Sequence, residues 1–199
     1  MRDNIVLCGV GGQGTFLASR LLSTAAMLRD EPVKGAETIG MAQRGGSVTS
    51  HVRIGEGVHS PLVAKGTADL LLAFEPAEAV RQLSYLRPGG TAVVSNRPII
   101  PVSSVTGGPP YELEAILDYL KNNVERLIVV DANEASRALG SSRVLNVVML
   151  GAALHSGALS MDADVMREAI RTRLPERFHT LNLSALDYMR QALGGHDED

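Results

Sequence analysis

Between Cys8 and Leu22 the sequence reads CGVGGQGTFLASRLL, a glycine-rich turn set between a short apolar run and a segment of helical pattern. Gly9, Gly11 and Gly14 satisfy G-x-G-x-x-G, with Gly12 and Gln13 inside the turn, directly after an expected strand and at the start of an expected helix. Glycines there allow a tight turn, expose N–H groups at a helix N-terminus and let the helix approach the sheet. The chemistry on offer is the holding of an anion by hydrogen bonds and the helix dipole. A nicotinamide site also needs an acid about twenty residues on, at the end of the second strand. Asp30 and Glu31 fall at that distance but precede Pro32, ahead of the second strand, and Glu37 comes later. The motif therefore reads more readily as an architectural turn than as a dinucleotide site.

A second polar cluster, KGAETIGMAQRGGS from Lys34 to Ser47, carries Lys34, Glu37, Thr38, Gln43 and Arg44 among four glycines. That density of polar groups on mobile backbone suits a functional loop better than a core element. Arg44, followed by Gly45 and Gly46, can set a guanidinium beside bare backbone N–H groups, an arrangement for a carboxylate or phosphate. The alternative is a surface turn whose arginine points into water.

Other chemistry is scarce. His51 and His59 lie far apart without Cys or carboxylate company, His155 sits in an apolar helical run and His196 near the end, so no metal ligand set is expected. No residue is assigned a catalytic role, for there is no nucleophile elbow, Walker loop or paired-carboxylate spacing. Cys8 is the single cysteine, which excludes an internal disulfide, a CxxC pair and any iron–sulfur cluster ligated by this chain alone. It ends an apolar run and is expected to be a buried small hydrophobe rather than a reactive thiol. Asp131, before ANEASRALG, is expected to cap a helix.

The elements that must position these residues follow from periodicity. Strands are expected at Ile5 to Cys8, Ser47 to Ile54, Leu70 to Phe74, Thr91 to Ser95 and Leu127 to Asp131. Helical spacing recurs at Leu113, Ile116, Leu117 and Leu120, at Val165, Met166, Ala169 and Ile170, and at Leu186, Met189 and Leu193. The alternation describes βαβ units and an α/β fold: a Rossmann-like, mostly parallel sheet with flanking helices and a helical C-terminal part. SVTSHVRI is different, because Val48, Val52 and Ile54 alternate with Ser47, Thr49, His51 and Arg53. Its polar face is expected at a sheet edge or in an antiparallel hairpin, open to water or to a partner. Fifteen of the 20 glycines lie at or before Gly108, and RPIIPVSSVTGGPPYE, from Arg97 to Glu112, is the one long irregular connection. A single domain is expected over residues 1–195, with 196–199 as a flexible tail.

With 199 residues and a formal net charge of −3, the chain can bury one sizeable core and has no basic cluster for a nucleic-acid backbone or an anionic membrane. Met1 leads directly into Arg2 and Asp3 without the apolar segment of a signal peptide, so the cytoplasm is the expected compartment.

Taken together, GVGGQGTFLASRLL, KGAETIGMAQRGGSVTSHVRIG, SPLV and ADLLLAFEPAEAVRQLSYLRPGG resemble the gamma-type subunit of 2-oxoacid:ferredoxin oxidoreductases. Within that family the stretch GMAQRGGSVTSHVRIG is most similar to the small beta subunit of the indolepyruvate enzymes. At Ile39, in AETIG, the sequence departs from the histidine or serine often found there, which bears only on fine substrate assignment. The resemblance implies oxidative decarboxylation of a 2-oxoacid with coenzyme A, giving an acyl-CoA, carbon dioxide and reduced ferredoxin. It implies a hetero-oligomer in which thiamine diphosphate and iron–sulfur clusters reside in a larger partner subunit. Gly9, Gly11, Gly12, Gln13, Gly14, Gln43, Arg44, Gly45 and Gly46 then become candidates for a cofactor-binding or intersubunit pocket. A stand-alone Rossmann-like nucleotide-binding oxidoreductase, a pyruvate, 2-oxoglutarate or branched-chain gamma subunit, and a pure assembly module remain as alternatives.

Overall fold

A computed structural model describes residues 3–39 and 45–193. Six strands form one sheet: β1 (Asp3–Val10), β2 (Val33–Ile39), β3 (Ser47–Ile54), β4 (Ala68–Ala73), β5 (Leu86–Ser95) and β6 (Arg126–Val130), in the spatial order β2-β3-β1-β4-β5-β6. β1, β4, β5 and β6 pair in parallel, whereas β3 runs antiparallel to both β1 and β2. The helices are α1 (Thr15–Leu28), α2 (Pro76–Gln82), α3 (Val102–Val105), α4 (Leu113–Asn123), α5 (Ala132–Ala138), α6 (Leu145–His155), α7 (Ala163–Arg173), α8 (His179–Asp187) and α9 (Arg190–Leu193). The expected α/β class and mostly parallel sheet are observed.

Because side chains alternate along a strand, each parallel strand feeds two cores. Ile5, Leu7, Leu70, Leu72, Val93 and Val130 join one core with α1, α6, α7 and α8, while Val6, Cys8, Leu71, Ala73, Ala92 and Val94 join the other, with Ala79 of α2 and Leu120 of α4. α6 is buried along its whole length from Leu145 to Leu154, which explains a sequence apolar all round rather than on one stripe. Its close partner is α8: a Cβ placed on Gly151 would lie 2.1 Å from the Leu186 carbonyl oxygen.

Three expectations change. Lys34 to Ile39, read as part of a polar loop from Lys34 to Ser47, lies in strand β2 (Val33–Ile39), which takes the sheet edge, one of the two places expected for SVTSHVRI. β3 does lie in an antiparallel hairpin with β2, but its polar face is covered at Thr49 and His51, while Ser47 stays exposed and Arg53 half-buried. Thr49 is 9 % exposed and His51 4 %. The chain after β3 folds back over that face: Arg53 donates to the Ser60 carbonyl oxygen, and Val63 N–H donates to His51 Nδ1 at 3.3 Å. The Tyr85 ring packs edge-on against His51, with ring centroids 5.3 Å apart. Polar residues satisfied by backbone partners are compatible with burial, and alternation alone does not reveal such a cover. The spacing of Leu186, Met189 and Leu193 spans two helices, α8 and α9, rather than one. The tail at 196–199 lies outside the described residues.

Two measurements test these contacts. Gly151→Ala is expected to lower stability by about 3 kcal/mol, read from urea unfolding, because backbone atoms rather than a flexible side-chain tip oppose the new methyl. Burial holds the His51 pKa below 6.5, and burial does the same to His155. The unfolded chain therefore takes up protons first as pH falls below 6.5, so this stabilisation is fully present above 6.5 and lost below it. Denaturation midpoints should fall between pH 7.5 and pH 5, and His51→Gln should make that decline shallower.

Candidate functional site

The parallel strands all end at one edge of the sheet, and the residues just past their ends are tied to one another sideways. After β1, Gln13 Oε1 accepts from Val10 N–H at 2.7 Å and Gln13 Nε2 donates to the Phe74 carbonyl oxygen, past the end of β4, at 2.9 Å. After β4, Glu75 caps α2, its Oε2 accepting from Glu78 N–H at 2.9 Å, while its Oε1 accepts from Tyr111 Oη and, at 3.4 Å, from Ile99 N–H. After β5, Asn96 Oδ1 accepts from Ala132 N–H at 3.0 Å, at the start of α5. After β6, Asp131 caps α5 as expected, accepting from the Asn133 and Glu134 amides. Those amide bonds hold its carboxyl below the usual range.

Within the glycine turn each glycine has a distinct role. A Cβ on Gly9 would meet Gln13 Oε1 at 2.7 Å, so the turn closes only over a bare α-carbon. Gly11 N–H donates to the Gly46 carbonyl oxygen at 2.9 Å, which joins the turn to the end of the β2–β3 connection. Gly12 and Gly14 have φ of 103° and 86°, and Gly14 is the N-cap of α1 without a side chain to cap it. The first-turn amides of α1 are therefore left for another partner.

Those amides open into a groove of about 540 Å³ lined by Gly11, Gly12, Gln13, Gly14, Leu17, Arg97, Ile99, Ser142, Arg143, Leu145 and Asn146. The start of α6 also faces it, but that helix continues a 3-10 turn at Ser142–Val144 whose first amides are capped by Ser141 Oγ, which accepts from Arg143 N–H at 3.2 Å. Arg97 and Arg143 are exposed, and neither is paired with a carboxylate among the described residues. Asn146 is 4 % exposed, and its acceptor Oδ1 has no hydrogen-bond partner among the described residues. The uncapped α1 N-terminus and two guanidiniums, with no lining acid among the described residues, make a cradle suited to phosphate or carboxylate oxygens.

Of the residues expected from sequence, Gly11, Gly12, Gln13 and Gly14 line the groove and Gly9 supports it from behind. Gly46 reaches it through the Gly11 bond, and Gly45, at φ 77°, continues that connection. Gln43 and Arg44 lie outside the described residues. Arg97, Arg143 and Asn146 were missed. The available signal for Arg97 was its place just past a parallel strand, where open α/β sheets bind ligands; Arg143 and Asn146 sit where an apolar helix begins. Glu37, considered as a ribose-reading acid, accepts from Ser19 Oγ on the edge strand, and antiparallel β3 separates it from β1. Burial, followed by the charges of Glu78 and Glu75, pushes the Cys8 thiol up, as befits a packed hydrophobe rather than a nucleophile. No group of three His, Cys, Asp or Glu side chains among the described residues could hold a metal ion.

The sheet, its helix-covered faces and the groove at the strand ends define a Rossmann-like α/β protein. By family, the chain belongs to the pyruvate ferredoxin/flavodoxin oxidoreductases, whose model matches residues 4–192. It is 41% identical over 197 residues to indolepyruvate oxidoreductase subunit IorB of Archaeoglobus fulgidus, covering 98% of each chain. It is 28% identical to ketoisovalerate oxidoreductase subunit VorA of Methanothermobacter marburgensis, aligning 96% of this chain with 37% of that one. The crystal structure of a keto/oxoacid ferredoxin oxidoreductase gamma subunit from Geobacter sulfurreducens superposes with a TM-score of 0.69 at 26% identity, covering 95% of this chain and 96% of the other.

Gln13→Glu tests the first of the sideways ties. The change sets a carboxylate oxygen against the Phe74 carbonyl in place of a donor, and a loss of about 2 kcal/mol of stability is expected in urea unfolding.

Proposed function

We propose that this chain is the small subunit of an indolepyruvate:ferredoxin oxidoreductase, which converts an aryl pyruvate, coenzyme A and oxidised ferredoxin into an acyl-CoA, carbon dioxide and reduced ferredoxin. The substrate assignment is supported by identities of 36 to 41% to four IorB subunits over nearly the whole chain. Subunits of the ketoisovalerate, 2-oxoglutarate and pyruvate/ketoisovalerate enzymes stand at 26 to 28%. Iron–sulfur clusters and thiamine diphosphate belong to a larger partner subunit in this reading, because one buried cysteine cannot ligate a cluster and the sequence has no diphosphate-binding GDG motif. No helix among the described residues is long and apolar enough to cross a membrane, and the assembly is assigned to the cytoplasm.

The observation that carries a role for this chain in the assembly is the groove, with the uncapped N-terminus of α1 and two guanidiniums that have no carboxylate partner among the described residues. At the boundary with the larger subunit it would receive an anionic group, and the phosphates of coenzyme A have the matching charge. Arg97 and Arg143 would bind that group, Asn146 and the Gly12 to Thr15 backbone would orient it, and chemistry at the reacting carbon would stay with the partner. Gln43, Arg44, Gly45 and Gly46 would extend the same rim.

In the complex reconstituted from this chain and its larger subunit, Arg97→Ala or Arg143→Ala should raise KM for coenzyme A about tenfold or more, the range for one charge-assisted hydrogen bond. The KM for the oxoacid should not change. Unaltered coenzyme A kinetics in both variants would remove the groove from the reaction. Turnover of an aryl pyruvate by this chain with thiamine diphosphate alone would refute its role as the small subunit.

A further inference from the structure

The 97–112 arm has little regular structure of its own: one four-residue helix, α3, and prolines at 98, 101, 109 and 110. Ile100, Val102 and Val105 are exposed along it. Its two ends nevertheless meet at a single atom, Glu75 Oε1, which accepts from Tyr111 Oη and Ile99 N–H. Glu75 is 1 % exposed, and its other oxygen is engaged by the Glu78 amide at the start of α2, so this carboxylate has a fixed place in the sheet edge. Arg97 lies between two anchors. On one side Asn96 N–H donates to the Val130 carbonyl oxygen and Asn96 Oδ1 accepts from Ala132 N–H; on the other, Ile99 is held by Glu75. Ile99 is also the wall shared by the anion groove and a second cavity of about 510 Å³ between α2, α4 and the arm.

We propose that Glu75 is a positioning residue: through Tyr111 and the Ile99 amide it clamps the arm so that Arg97 is presented to the anion groove. The proposal rests on the groove's role as an anion site. Without the clamp, the arm's many conformations would dilute the one that aims the guanidinium, and an anionic ligand would have to order it on binding. The direct effect falls on ligand affinity. On the proposed function the reacting centre belongs to the larger subunit, away from Glu75 and Tyr111.

Tyr111→Phe removes only the hydroxyl that donates to Glu75 and keeps the half-buried ring, and an unchanged circular dichroism spectrum checks that the fold is kept. In the reconstituted complex it should raise KM for coenzyme A three- to tenfold, with kcat within about twofold and the oxoacid KM unchanged. Hydrogen exchange in the 99–111 segment should accelerate about tenfold, with the strands unaffected. If Tyr111 acts through Arg97, the double variant with Arg97→Ala should bind coenzyme A no worse than Arg97→Ala alone. Additive losses, or unchanged exchange in the arm, would overturn the clamp. A silent Tyr111→Phe beside a damaging Arg97→Ala would overturn the positioning role alone, whereas a silent Arg97→Ala would overturn the groove reading on which it rests.

Discussion

Where parallel strands end together, their last backbone groups lose the ladder and must find other partners, and here three side chains supply the link from each strand end to the next. Gln13 joins β1 to β4, Glu75 joins β4 to the segment after β5, and Asn96 joins that segment to the start of α5 after β6. Each lies within three residues of a strand end, uses an amide or carboxylate, and reaches a backbone group of its neighbour. A buried carbonyl or N–H without a partner costs about 1–3 kcal/mol, so these ties contribute to stability as well as order. The strand ends are thereby held in register relative to one another, and every loop that lines the groove starts from a fixed point.

This stitching explains why the glycine turn has a nucleotide-fold shape without the rest of a nucleotide site. Gln13 turns its amide inward, so the turn's one large polar side chain is committed to the sheet. The slot beside β1 that would hold a second parallel strand is taken by antiparallel β3, which moves Glu37 outward by one strand spacing, about 4.8 Å. What the turn still offers is backbone N–H groups and the positive end of α1. Those are generic anion ligands, and their selectivity must come from what surrounds them, namely Arg97, Arg143 and Asn146 from three other places in the chain.

Local patterns carried the sheet core well. The short apolar runs, the helical spacings and the cap at Asp131 are properties of contiguous residues, and they recur in the structure within a few positions. The edge strand β2 escaped notice because VKGAETI has neither alternation nor an apolar run: it pairs on one side only and is half solvated, so little constrains its side chains. The cover on β3 escaped because it depends on residues 58–65 returning over His51, a tertiary event with no periodic mark. The same holds for the groove. Its glycine side was legible as a motif, but Arg97, Arg143 and Asn146 converge from separate loops, and in sequence they are ordinary polar residues beside strand and helix ends.

That division has a consequence for how the site can vary. The glycine turn is constrained by packing at Gly9, by positive φ at Gly12 and Gly14, and by Asn146, whose amide nitrogen would lie 2.9 Å from a Cβ on Gly14. Change there disturbs the sheet edge itself. The guanidiniums are bound by no such restriction, since Arg97 and Arg143 are exposed and make no carboxylate pair among the described residues. On the proposed reading of the groove, affinity for an anion would therefore be tuned at those two positions without altering the fold. A rigid backbone cradle with adjustable charges at its rim would let one architecture meet different partners while the strand-end ties stay the same.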